Sequence, residues 1–201
     1  LINDVIIPDI NNEGKTSQID HIILTKDYIA TIETKNYSGI IKGREDEIHW
    51  TQVLAGGNTT NTFYNPVKQN LTHVVRLTEL FELRKDIIDS YVCFPKANIY
   101  SIKSDKVFTL KGLRYELMHK KTDRFEEDEL IYYRDMLLDY KNHPLESKKE
   151  HIEKIRKMKK DVESGVCLRC GAKLVLRTNK KDGTTFYACS RYPRCKFIKK
   201  Y

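Results

Sequence analysis

Four cysteines near the C-terminus constrain this chain more than any other feature. Cys167 and Cys170 form a C-x2-C pair, Cys189 and Cys195 form a C-x5-C pair, and 18 residues lie between the pairs. Paired knuckles of this kind bind zinc in a reducing compartment, whereas the cysteines of a small secreted module pair as disulfides. The close C-x2-C spacing and the surrounding lysines favour zinc. A closed shell of four thiolates is structural rather than catalytic. So small a module buries little apolar surface, and zinc then supplies most of its folding free energy. Gly171 permits the tight turn after the second ligand. Residues 174–177 and 185–188 read as two short strands joined by residues 179–183. The fifth cysteine, Cys93, stands alone in the apolar run 90–95 and reads as an inert core thiol.

Charge divides the chain near the same place. Residues 1–146 hold 19 Lys/Arg against 23 Asp/Glu, a net of −4, and residues 147–201 hold 17 against 5, a net of +12. An acidic body with a basic tail points to a polyanionic partner for the tail, most simply nucleic acid, or to a solvated basic helix that aids solubility. A chain of 201 residues is one ordinary domain with a remainder, or two small domains. With 40% apolar and 32% charged residues it is neither disordered nor collagen-like. It has no run of 18 apolar residues, so no transmembrane helix is expected within it. The chain starts at Leu1 rather than Met and reads as a fragment or a processed form, which leaves an upstream signal peptide or membrane anchor open.

The body alternates strands and helices. Residues 18–25 and 28–35 are isoleucine-rich and read as two strands of a sheet covered on both faces, joined at Lys26-Asp27. Residues 40–42 and 47–52 are two further short strands, and residues 55–62 a Gly/Asn/Thr loop. A helix is expected from Pro66 to about Arg84, with Asn65 as N-cap and Pro66 in the first turn. Val67, Leu71, Val74, Val75, Leu77 and Leu80 form its apolar stripe. Residues 90–95 and 97–102 read as strands. Residues 126–142 read as a helix opened by four acids that complement its dipole. Residues 146–163 read as a thinly apolar, lysine-rich helix (Ile152, Ile155, Met158, Val162), a linker or packed arm that Gly165 stops. This order fits an α/β or α+β body followed by a small metal module.

Chemistry concentrates in the first hairpin. If Thr25 pairs with Tyr28, the register places Asp20 opposite Glu33, with Cβ atoms about 5 Å apart. Lys35, two residues on, leaves the same face as Glu33. Like charges opposite one another on a sheet are destabilising, so Lys35 or a divalent cation must compensate them. Paired carboxylates with waters are how Mg²⁺ is held, and such an ion acidifies a bound water and polarises a phosphodiester. A lysine beside it orients or deprotonates the attacking water. A structural ion pair at a sheet edge is the other reading. Gln69 sits one turn inside its helix, with His73 four residues on along the same face. His21 faces away from Asp20 and reads as structural.

Gln18-Ile19-Asp20-His21, Ile32-Glu33-Thr34-Lys35-Asn36-Tyr37-Ser38-Gly39, Trp50-x-Gln52 and Asn65-Pro66-Val67-Lys68-Gln69-Asn70 together resemble the nuclease-related domain (NERD) over roughly residues 3–125. The resemblance implies an α/β, restriction-endonuclease-like (PD-(D/E)xK) mixed sheet with flanking helices. It implies a Mg²⁺-dependent endo- or exonuclease with Asp20, Glu33, Lys35 and Gln69 as catalytic residues. Asp20, Glu33 and the Thr34 carbonyl would bind magnesium. Gln69 and His73 are similar to a helix found beside the active site in some relatives. In that family a helix, often carrying a glutamate near the site, precedes the first strand; these residues do not contain it.

Cys167-x2-Cys170-Gly171, Leu174-Val175-x-Arg177 and Cys189-Ser190-x-Tyr192-Pro193-x-Cys195-Lys196-Phe197 resemble the four-cysteine zinc module of type IA DNA topoisomerases. In that family the module binds DNA, often single-stranded. Arg169, Lys173, Arg177, Arg191, Arg194, Lys196 and Lys199 offer phosphate contacts here. Phe186, Tyr187, Tyr192 and Phe197 offer rings for base stacking, worth about 1–3 kcal/mol each, and of these Phe186 and Phe197 read as partly core around the zinc. Strand passage itself needs a larger gated enzyme. The expected layout is a nuclease-related domain at 1–125, a helical extension and basic linker at 126–164, and a zinc-ribbon-like finger at 165–201. The protein so read is a cytoplasmic, DNA-associated nuclease with structural zinc, catalytic magnesium and no small-molecule cofactor. The other readings are a non-catalytic DNA-binding protein and a protein–protein scaffold.

Overall fold

The computed structural model describes the chain except residues 13, 55, 58, 85, 168, 180–184, 200 and 201, and except the side chains of residues 148, 155, 158, 159 and 162. The chain divides into two compact units, Leu1–Leu145 and Glu146–Tyr201.

The first unit is built on a five-stranded mixed sheet. Its strands are β1 (Ile2–Pro8), β2 (Thr16–Leu24), β3 (Ile29–Thr34), β7 (Ile88–Cys93) and β8 (Val107–Phe108), side by side in that order. The β1–β2 and β2–β3 pairs are antiparallel, and β3–β7 and β7–β8 are parallel. Between β3 and β7 the chain makes a second, three-stranded antiparallel sheet of β4 (Ile40–Lys42), β5 (His49–Val53) and β6 (Thr60–Tyr64). It returns through helix α1 (Pro66–Leu80), as parallel neighbours require a crossover. Helices α2 (Leu110–His119) and α3 (Glu127–Asn142) follow.

Burial explains the layering. On one face Ile19, Ile22, Ile29 and Ile88 pack with Val74 and Leu77 of α1 and with Tyr133 and Leu137 of α3. On the other, Tyr28, Ala30, Ile32, Tyr91 and Cys93 pack with Leu113 of α2. With helices against both faces, β3 is buried along its length except at Thr34, which accounts for its unbroken apolar run. Trp50 and Phe94 anchor a third cluster under the small sheet, and Cys93 is a buried free thiol whose pKa burial raises. The mixed sheet with helices on both faces is the architecture expected.

Several elements depart from the sequence reading. The N-terminal residues form a full edge strand, and residues 60–64 of the expected polar loop form β6. Residues 97–102 are not a strand: only Asn98 makes a bridge, to Ile40, while Ala97, Ile99 and Ile102 pack against the Trp50 cluster from a turn. The place beside β7 is taken by the two residues of β8. Helix α1 ends at Leu80 because Glu82 adopts φ +56, and α2 was not anticipated. The third helix, which the sequence reading placed in a linking extension, stacks Tyr133 on Phe81 at 4.4 Å in the main core.

The second unit contains α4 (Lys148–Glu163) and a three-stranded antiparallel sheet of β9 (Leu174–Thr178), β10 (Thr185–Cys189) and β11 (Ile198–Lys199), with β10 central. Glu146 and His151 are buried together at its start, 2.8 Å apart. Ile152 is exposed, and the other three residues of the expected α4 stripe lie outside the described side chains, as does most of the 179–183 connection. Among the described residues no helix is long and apolar enough to cross a membrane.

Candidate functional site

The β2–β3 hairpin takes the register expected from a Lys26-Asp27 turn: Leu24 pairs with Ile29, and the ladder runs to His21 opposite Ile32. It stops one pair short of Asp20 and Glu33. The reason lies in β1 and β2 together. Ile19 and Ile22 reach the same core cluster although three residues apart, and so do Ile2 and Val5. An ideal strand would send each pair to opposite faces. Both strands slip by one residue at the same place, where Asp4 has φ +59 and Asp20 lies across from it between two regular stretches of ladder. Asp20 is thereby released from pairing with Glu33, and its Oδ2 accepts the backbone N–H of Thr34 at 3.0 Å. His21 holds the same residue from its side chain, with Nε2 3.1 Å from Thr34 Oγ1 and Nδ1 2.8 Å from Asn3.

Glu33 is only 3% exposed, and α1 supplies its surroundings. Lys35 Nζ lies 2.7 Å from Glu33 Oε1. Gln69 bridges the pair: its amide Nε2 donates to Glu33 Oε1 at 2.8 Å and its Oε1 accepts from Lys35 Nζ at 3.0 Å. On the other oxygen, His73 Nε2 lies 3.5 Å from Glu33 Oε2, while His73 Nδ1 is 2.8 Å from Ser17 Oγ. Burial alone would raise the Glu33 pKa. The nearby His73 imidazole and the Lys35 ammonium outweigh it and hold the carboxyl below the usual range. A buried carboxylate flanked by the Lys35 ammonium, the Gln69 amide and the His73 imidazole is thus the centre of the site. Three of the four expected residues (Glu33, Lys35, Gln69) meet directly, and Asp20 is bonded to the residue between Glu33 and Lys35.

The Asn65–Asn70 segment builds this arrangement residue by residue. Asn65 is fully buried. Its Oδ1 caps α1 by accepting Val67 and Lys68 N–H, and its Nδ2 donates to the carbonyls of Arg44, Glu45 and Glu47. Pro66 takes the first helical position, where a missing N–H costs nothing. Asn70 Nδ2 donates to the Thr31 and Tyr91 carbonyls and to Ser90 Oγ, tying α1 to the parallel β3–β7 pair. Gln69, between these anchors, is aimed at Glu33. Gly39 and Gln52 have structural duties. A Cβ on Gly39, at φ +79, would sit 2.2 Å from the Val53 carbonyl oxygen, and Gln52 Nε2 donates to Ser38 O at 2.8 Å.

In the second unit the four cysteine sulfurs all lie within 4.8 Å of one another. Cys167–Cys195 and Cys167–Cys170 are separated by 3.7 Å, and Cys170–Cys189 by 3.3 Å. Disulfides would require about 2.05 Å. A tetrahedron with Zn–S bonds of about 2.3 Å has edges of about 3.8 Å, so these thiols match a structural zinc site. Backbone amides two residues downstream support the sulfurs. The N–H of Ala172 helps lower the Cys170 pKa to about 7, and Arg191 N–H donates to Cys189 at 3.4 Å. Among the described residues this is the one group of three or more His, Cys, Asp or Glu side chains close enough to hold a metal ion.

The small sheet has two unlike faces. Leu174, Tyr187 and Phe197 pack around the cysteines. By the β9–β10 register Val175, Arg177 and Phe186 lie on the opposite face. Phe197 is partly core as expected, but Tyr187, expected as a stacking ring, takes the core position assigned to Phe186 by strand alternation. Arg177 lies 5.8 Å from the centroid of the exposed Tyr192 ring. Arg169, Lys173, Arg191, Arg194 and Lys196 are all exposed.

Comparison with known proteins agrees with both halves of this description. Residues 1–95 match the family model of the nuclease-related domain (NERD), and residues 164–201 match that of the topoisomerase DNA-binding C4 zinc finger. One match lies in each compact unit. An uncharacterized protein of Bacillus anthracis is 35% identical over 86 residues, which is 43% of this chain and 40% of that protein. No solved structure matches the chain.

Proposed function

We propose that a chain joining a nuclease-related domain to a C4 zinc finger binds DNA through the finger and hydrolyses phosphodiesters at Glu33. The observation that carries the catalytic half is the buried, ionised Glu33 carboxylate, contacted at once by Lys35, Gln69 and His73. Buried titratable groups shifted by a specific charge partner cluster at functional sites. Asp20, Glu33 and the Thr34 carbonyl offer only oxygen donors, the set that suits a hard divalent cation. Magnesium held there would acidify an attacking water and polarise the scissile phosphate. The chain's own contribution is positional. Asp20 and His21 fix Thr34, and Gln69 fixes the Lys35 ammonium against Glu33, where it can orient the water or steady the developing charge. Zinc holds the finger's fold. Its exposed arginines and lysines supply phosphate contacts, and Tyr192 beside Arg177 supplies a ring for an unpaired base.

A second reading keeps the DNA-binding finger and treats the acidic site as structural. It draws on the fact that Lys35 already neutralises Glu33 within one ion pair. Cleavage of single- and double-stranded DNA by the wild type, Glu33→Ala and Lys35→Ala in Mg²⁺ separates the two. The nuclease reading expects a loss of at least about 100-fold in both variants, within the range that positioned acid–base groups contribute. Equal cleavage by all three ends it. Binding by the finger should weaken steeply as salt rises, since it depends on released counterions.

A further inference from the structure

The nuclease reading counts His73 as a contact of Glu33 but gives neither it nor its partner Ser17 a task, although both residues are buried. Ser17 lies on β2 and His73 on α1, so two separate elements contribute them. Ser17 Oγ is 2.8 Å from His73 Nδ1, and His73 Nε2, a buried nitrogen that makes no hydrogen bond among the described residues, is 3.5 Å from Glu33 Oε2, the oxygen that Lys35 and Gln69 do not occupy.

We propose that Ser17 and His73 form a brace that fixes the Glu33 carboxylate: the Ser17 hydroxyl donates to Nδ1, which keeps the imidazole proton on Nε2, and that N–H is directed at Glu33 Oε2. A neutral imidazole carries one donor and one acceptor, so the partner of Nδ1 decides which nitrogen faces the carboxylate. With the His73 N–H turned toward Oε2 and Oε1 held by Lys35 and Gln69, a donor faces each oxygen and rotation of the carboxylate about its last bond is restricted. His73 is then a positioning residue, acting through Glu33. Its spacing from Gln69 follows from this role: four residues apart on α1, the two side chains hold opposite oxygens of one carboxylate. The charged and titratable groups facing His73 are Glu33 from β3 and, beyond it, Lys35.

The inference rests on the nuclease reading only for its consequence in turnover, and its geometry is testable without it. Long-range ¹H–¹⁵N correlation on the full chain, at about pH 8.5 where an ordinary imidazole is neutral, should show His73 as the Nε2–H tautomer. Ser17→Ala should shift the population toward Nδ1–H. A wild-type Nδ1–H tautomer, or one indifferent to Ser17→Ala, overturns the brace and leaves the nuclease reading standing. In cleavage assays His73→Ala should lower kcat roughly 10-fold with KM for DNA within about twofold, as expected when only transition-state positioning is lost. His73→Gln, whose amide can place an N–H near the position of Nε2, should recover most of the lost turnover. Recovery no better than His73→Ala in a variant that melts like the wild type overturns the proposal. If no variant or wild type cleaves DNA, the nuclease reading fails, and the tautomer alone decides the brace.

Discussion

The two units reach stability by opposite routes. The first buries Ile19, Ile22, Ile29 and Leu77 completely around one face of a sheet and builds a separate cluster on the other. The buried hydrophobic cluster of the cysteine module consists of Cys167, Leu174, Cys189 and Cys195, so three of its four members are the metal ligands themselves. In one unit apolar area alone supplies the core. In the other the metal takes the place of a core. Whether a site residue can be replaced without unfolding should therefore differ sharply between the two.

The sharpest break in that comparison is zinc removal. Apparent zinc binding in small four-ligand modules is worth about 10–16 kcal/mol, far beyond what one leucine and a few half-buried rings contribute. Chelation, or Cys189→Ser, should abolish the dispersed amide signals of strands β9, β10 and β11, while those of the first unit's strands stay in place. A finger that keeps its fold without metal would remove the contrast. Next in size is Leu77→Ala, which opens a cavity where the side chain is fully buried. It should cost about 2–5 kcal/mol, read by urea denaturation of the first unit, and leave zinc affinity unchanged.

Asn65 tests a polar part of the first unit. Asn65→Ala removes the cap of α1 and the donor to three carbonyls, and about 2 kcal/mol or more should be lost. Asn65→Asp retains an acceptor for the Val67 N–H but removes the Nδ2 donor shared by Arg44, Glu45 and Glu47. The aspartate variant should recover part of the cap energy and none of the rest. Equal destabilisation by both would place the whole effect in the carbonyl contacts.

The contrast also explains what could be read from the chain. The zinc ligands lie in two short segments, so their spacing alone states their geometry. The hairpin register followed from one turn, and the α1 cap from Asn65-Pro66. Glu33, Lys35 and Gln69 could be grouped because each motif was recognisable, but their contacts come from folding β3 against α1. What sequence concealed was decided by neighbours. The polar Thr60–Tyr64 segment is a strand only because β5 pairs with it. Helix α2 buries just Leu113 and carries Gly112 in its interior, so its apolar pattern was faint, although Thr109 was a usable cap signal. The paired slip at Asp4 and Asp20 breaks strict alternation, and that was the assumption behind placing Asp20 opposite Glu33. Tyr187 and Phe186 exchanged roles because alternation counted from Cys189, an inward ligand, puts the tyrosine on the cysteine side.

The smallest expected effect concerns Glu45, which joins the turn before β5 to the approach to β8. It accepts from Ser104 Oγ at 2.5 Å and pairs with Lys106 Nζ at 3.0 Å. The Ser104 hydrogen bond, aided by Lys106 and opposed by burial, lowers the Glu45 pKa. The hydrogen bond to Glu45 raises that of Lys106. Both side chains are about one-third exposed, so solvent screening limits the pair to less than about 1 kcal/mol. A carboxylate depressed on folding stabilises above its unfolded pKa, near about 4.3, and that stability fades as the pH falls through the folded value. A lysine raised on folding stabilises below about 10.4 and loses the effect as the pH climbs through its folded value. Glu45→Gln should therefore lower the midpoint of unfolding slightly between these limits, and the difference should vanish toward both acid and strong base. A deficit that persists unchanged at pH values well below the carboxylate range would show that Glu45 acts through packing at the turn rather than through its charge.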